Sequence, residues 1–81
     1  DYGKRIRQLE DIARKHPEVE DAYAISAGRE VRVIVNPFKA NDDQLVILAT
    51  AIRDEIRDTM TFPGTVKVNV IRETRASEIA S

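Results

Sequence analysis

The groups able to do chemistry in this 81-residue chain are few, and their spacing argues against a catalytic centre. The single imidazole, His16, is the one side chain whose ordinary pKa lies near neutrality. It stands directly before Pro17 at a predicted helix end, with no partner nearby in sequence. No Ser–His–carboxylate set can be assembled around it. The chain has no cysteine, so disulfides, thiolate metal sites and thiol nucleophiles are excluded. Gly3, Gly28 and Gly64 lie too far apart for a phosphate loop or a dinucleotide fingerprint. Two carboxylate pairs, Asp42 with Asp43 and Asp54 with Asp58, suggest a metal, but Asp54 and Asp58 sit on the polar side of a helical pattern. Arg53 and Arg57 are placed to neutralise them. No catalytic residue, no metal ligand and no cofactor is therefore assigned.

Two polar clusters read as binding sets. The segment Val70-Ile71-Arg72-Glu73-Thr74-Arg75 joins a strand end to two arginines, whose guanidinium forks suit a carboxylate or a phosphate. Gly28-Arg29-Glu30 forms the second, at a predicted hairpin. Thirteen Lys and Arg against fourteen Asp and Glu give a net charge of -1, which supplies no long-range pull on a phosphate backbone. The four aromatic residues are scattered rather than interleaved with cations, so direct nucleic-acid binding is disfavoured.

The elements that position these groups follow from hydrophobic periodicity. Ile6, Leu9, Ile12 and Ala13 form one face of a helix over 2–16, stopped by Pro17. Strands are expected at 22–27 and 30–36, hinged at Gly28. Val31, Val33 and Val35 alternate with Arg32, Ile34 and Asn36. A two-residue loop at Gly28 places Ala22, Ala24 and Ser26 beside those valines. A three-residue loop with a bulge places Tyr23 and Ile25 there instead, and the pattern leaves both open. Asn41 or Asp42 caps a helix over 42–60 whose stripe is Leu45, Leu48, Ala49, Ile52, Ile56 and Met60. Phe62, Pro63 and Gly64 turn the chain into a third strand, 65–71, and 72–81 is a polar tail.

The order helix-strand-strand-helix-strand predicts an α+β fold, a single small domain spanning 1–81. Its three-stranded mixed sheet has both helices on one face. The opposite face should then be bare, with Ile34 and Ile71 set among Arg32, Lys67 and Asn69, and an open apolar sheet face marks an interface. Ile34 and Ile71 are the candidate apolar contacts for a protein partner, with Arg32, Arg72 and Arg75 as polar locks. Arg29, Arg32 and Lys67 are the candidate RNA contacts. No apolar run approaches the roughly 20 residues of a membrane span, so the chain reads as soluble with no membrane contact of its own. It starts at Asp1 in a nearly immediate helical pattern, which reads as a piece of a longer protein.

The run Ala27-Gly28-Arg29-Glu30-Val31-Arg32-Val33, then Phe62-Pro63-Gly64, then Lys67 to Ala76 resembles the C-terminal end of bacterial ribonuclease Y. The likeness extends to the first helix, Arg5 to Ala13, and to the strand around Val19 to Ile25, while Asn36 to Gln44 departs from the pattern. The resemblance implies a membrane-anchored parent, cytoplasmic at the inner face of the membrane, an endoribonuclease that initiates messenger RNA decay. It also implies a KH domain and a metal-dependent HD domain elsewhere in that parent. Neither the HD His-Asp pair nor the KH Gly-x-x-Gly loop has a counterpart here, since His16 is followed by Pro17. The implied role is a non-catalytic accessory module acting in self-association, in docking on the HD domain, or in contacts with RNA-decay proteins. The alternative is an RNA-binding module, because the element order is close to a KH-like one.

Overall fold

The computed structural model describes residues 2–61 and 64–81. Helix α1 (Tyr2–Arg14) is followed by strands β1 (Val19–Ile25) and β2 (Glu30–Val35), helix α2 (Asp42–Thr59) and strand β3 (Lys67–Arg72). The sheet order is β1-β2-β3, with β1 and β2 antiparallel and β2 and β3 parallel. This is the predicted α+β arrangement. The turn expected at Phe62 and Pro63 lies outside the described residues.

Both helices lie on one face because each presents one apolar stripe and the sheet offers a single valine-lined surface to receive them. Leu9, Ile12 and Ala13 of α1 and Leu48, Ile52 and Ile56 of α2 share a core with Val31, Val33, Val35, Ala22 and Ala40. Leu9, Val31, Val33, Val35 and Ile52 are fully buried. Lys15 pairs with Glu55, joining the two helices at the surface.

Local chemistry sets the ends. Helix α2 opens with a capping box: Gln44 N–H donates to Asn41 Oδ1 at 2.9 Å, and Asn41 N–H donates to Gln44 Oε1 at 2.7 Å. Asp42 and Asp43 add negative charge to the first turn, which suits the positive end of the helix dipole. Among the described residues no helix is long and apolar enough to cross a membrane.

The hairpin differs from both sequence alternatives. Ile25 pairs with Glu30, so its loop is Ser26 to Arg29. A short 3-10 turn, Ser26–Gly28, has φ of 54°, 57° and 80° at its three residues. That loop has the same parity as a two-residue one, so Ala22 and Ala24 do share the face of the three valines. Gly28 suits the turn because its φ is positive; a Cβ there would also stand 2.9 Å from Ile6 Cδ1, the movable end of an α1 side chain. Strand β1 also starts earlier than its composition suggests. Val19 pairs with Val35, and the register shifts between Val19 and Asp21, leaving Glu20 as a bulge in what reads as an acidic connection.

Candidate interaction surface

The face turned away from the helices is built as three rows across the strands. Ile25, Glu30 and Lys67 align in one, Tyr23, Arg32 and Asn69 in the next, and Asp21, Ile34 and Ile71 in the third. Every sequence-predicted face residue is therefore on this side.

Glu30 organises the polar rows. Its Oε2 accepts from Arg32 Nη2 at 3.2 Å and from Asn69 Nδ2 at 3.4 Å. Burial pushes the Glu30 carboxyl upward, but the Asn69 amide, the Arg32 guanidinium and the Lys67 ammonium together hold it below the usual carboxylate range. Two of the three candidate RNA contacts, Arg32 and Lys67, are thus partly neutralised by one carboxylate. The third, Arg29, donates from Nε to Ser26 O at 3.0 Å and lines a cleft with Tyr2, Arg5 and Ile6.

The expectation that this face is bare needs correction at Ile34, which is only 2% exposed. Within its row Ile34 lies between Asp21 of β1 and Ile71 of β3, and the β2–β3 ladder continues past it. Beyond Arg72, Glu73 N–H donates to Val35 O at 3.4 Å. The Arg75 guanidinium is held above its ordinary pKa first by its hydrogen bond to Glu73, and further by Glu20 and Tyr23 on β1. Ile34 is a packing residue and not a free contact. Ile71 is half-buried, whereas Tyr23 keeps 37% of its surface exposed.

The two remaining predicted locks act within the chain. Arg72 Nη1 donates to Asp42 Oδ1 at 2.7 Å and Nη2 to Pro37 O at 3.3 Å, fastening the end of β3 to the start of α2. Arg75 is engaged by Glu73. From Thr74 onward the tail is exposed, Ile79 at 92%. The radius of gyration, 13.7 Å, exceeds the ~12 Å typical of a compact chain of this length.

The sheet has two edges, and they differ. On β1 the backbone groups of Ala22 and Ala24 point outward, and side chains occupy them. Ala22 N–H donates to Asp21 Oδ1 at 2.8 Å, Ala22 O accepts from Arg14 Nη2, and Ala24 N–H donates to Glu10 Oε2 at 2.9 Å. Arg14 also bridges Glu10 and Asp21, at 3.7 and 3.5 Å. Charged side chains and a bulge thus close this edge to further strands. On β3 the parallel ladder alternates: Lys67, Asn69 and Ile71 address β2, so Val68 and Val70 present N–H and C=O outward. No described side chain caps those groups. Sequence reasoning missed this asymmetry, because Glu10 and Arg14 read only as the polar side of α1.

Among the described residues no three His, Cys, Asp or Glu gather as a metal site. A three-stranded mixed sheet with one edge closed by side chains and the other unpaired, covered on one face by two helices, defines a small α+β module.

The most similar relatives narrow that class. Over 79 residues, 98% of this chain, it is 52% identical to ribonuclease Y of Sulfurovum sp., 54% identical to ribonuclease Y of Campylobacter jejuni and 47% identical to ribonuclease Y of Fusobacterium nucleatum. The chain is a homologue of the C-terminal segment of ribonuclease Y. It spans about 15% of the length of these curated relatives. No family model matches the chain, and no solved structure matches it.

Proposed function

We propose that this chain is a non-catalytic accessory module of an endoribonuclease that initiates messenger RNA decay, and that it works by protein–protein assembly. Its contacts are either with a second copy of itself or with the metal-dependent HD catalytic domain of the same enzyme. The observation that carries this reading is the unpaired β3 edge, Val68 and Val70, standing opposite a β1 edge that Glu10, Arg14 and Asp21 close. Proteins cover or blunt strand edges they do not use, so an edge left open beside a deliberately closed one is a surface with a partner. Ile71, half-buried on the open face of β3 itself, extends the same surface.

Sedimentation velocity tests it, with the 81-residue chain alone and mixed with ribonuclease Y lacking this segment. The reading expects a faster-sedimenting species in at least one of the two. A chain that stays monomeric alone and leaves the remainder of the enzyme unshifted would overturn it.

A second reading, an RNA-binding module, is favoured by one observation. Tyr2, Arg5 and Arg29 line a cleft of about 540 Å³ between α1 and the Gly28 turn, combining an aromatic ring with two cations. The net charge of -1 and the tethering of Arg32 to Glu30 argue against it. Titration of labelled single-stranded RNA separates the readings: binding that weakens steeply with salt supports the second, and none at low salt removes it.

A further inference from the structure

We propose that two copies of this chain pair antiparallel through β3, centred on Asn69, to make one continuous sheet across a two-fold axis. This rests on the assembly reading and specifies both its partner and its surface. Three features of the edge select a second copy as the occupant.

The first is hydrogen bonding. Val68 and Val70 carry the outward N–H and C=O groups. An axis at Asn69 sets Val68 opposite Val70 of the second copy, so each valine exchanges both of its backbone hydrogen bonds with the other. Asn69 faces its own counterpart at a non-hydrogen-bonded position.

The second is side-chain complementarity. On the helix side, valine meets valine at the Val68 and Val70 positions. On the open face, Lys67 meets Ile71 of the second copy and Asn69 meets Asn69, so no like charges oppose each other across the seam. The strand is thus self-complementary about its centre.

The third is the flank. Beside the edge, α2 presents Val46, 68% exposed, while Ala49, Thr50 and Arg53 line a shallow groove with Val66 and Val68. The axis brings this side of α2 against its counterpart, running antiparallel. That adds apolar cover to a strand pair that alone falls below the ~1,200 Å² of a stable interface.

The edge chemistry supplies a test that spares the fold. Proline at position 70 removes an outward N–H and no bond to β2, and edge strands tolerate such a proline. The lack of native cysteine makes Asn69→Cys a single thiol. At a non-hydrogen-bonded antiparallel pair the Cα atoms stand ~4.5 Å apart, within disulfide range. Sedimentation equilibrium from ~10 µM to ~1 mM, the range expected of a small interface, should show the mass rising toward twice 9.2 kDa. Val70→Pro, with unchanged circular dichroism, should remain monomeric throughout. Asn69→Cys should oxidise to a covalent dimer at least tenfold faster than Ile71→Cys.

A wild-type chain monomeric at every concentration overturns the proposal, as does a dimer that survives in folded Val70→Pro. If Val70→Pro does not fold, the cysteine pair decides, and equal oxidation rates refute the pairing. The proposal can fail while the assembly reading survives: a monomeric chain that still binds the remainder of ribonuclease Y removes the two-fold seam only. Failure of both experiments removes both.

Discussion

The burial of Ile34 has the sharpest energetic consequence. Ile34 is 2% exposed although it lies on the face that neither helix covers. Truncating a fully buried isoleucine to alanine costs about 2–5 kcal/mol, against a total of roughly 4–12 kcal/mol for a chain of this size. Ile34→Ala should therefore cost about 3 kcal/mol, from the middle of that range. Removing residues 73–81 deletes the Glu73 N–H to Val35 O bond, one residue along β2 from Ile34. In that shortened chain Ile34→Ala should cost about 1 kcal/mol less, a coupling of the size expected between neighbouring sites. Ile34→Asp should unfold the chain, because an unpaired carboxylate has no place at a buried position. Urea denaturation followed at 222 nm on the four members of the cycle gives each number. A full-chain cost under about 1 kcal/mol, or a coupling below about 0.3 kcal/mol, would refute this account of Ile34.

Three further outcomes follow from named contacts. Gly28→Ala should destabilise by about 2 kcal/mol in chemical denaturation, since a Cβ at φ +80° adds left-handed strain to a 2.9 Å approach to Ile6. Asn41→Ala removes the capping box of α2 and should cost about 1 kcal/mol in the same assay. Glu30 has a folded-state pKa below its ordinary 4.5, so its contribution is present above that value and is lost as pH falls through the lower folded pKa. Glu30→Gln should flatten this part of the acid-unfolding curve, with little effect on stability differences between pH 6 and 8. An unchanged acid limb would contradict the role given to Glu30 as organiser of Arg32, Asn69 and Lys67.

The fold was legible wherever periodicity is local. The alternating Val31, Val33 and Val35, the α2 stripe, the Asn41 cap and the stop before Pro17 all name their elements without tertiary information. What stayed hidden depends on distant partners. Val19 to Asp21 precede the strand expected at 22–27, yet Val19 pairs with Val35 across a bulge at Glu20. Ser26 and Ala27 do not announce a left-handed turn, because neither residue type prefers positive φ.

The candidate site divides in the same way. Its face residues follow from strand parity, so Arg32, Ile34, Lys67, Asn69 and Ile71 were assigned to the correct side. Their availability did not follow. Ile34 is buried, Arg72 is committed to Asp42 and Pro37, and Glu30 ties Arg32. The closure of β1 by Glu10 and Arg14 needs α1 docked in place before those side chains reach the strand.

The account turns on this module acting through contacts with protein rather than with RNA. Amide spectra of the nitrogen-15-labelled chain address that directly, recorded on raising its own concentration, on adding ribonuclease Y that lacks this segment, and on adding single-stranded RNA at low salt. The predicted result is perturbation centred on Val68 and Val70 in at least one of the protein series and an unchanged spectrum with RNA. Silent protein series together with saturable RNA shifts around Arg5 and Arg29 would contradict it.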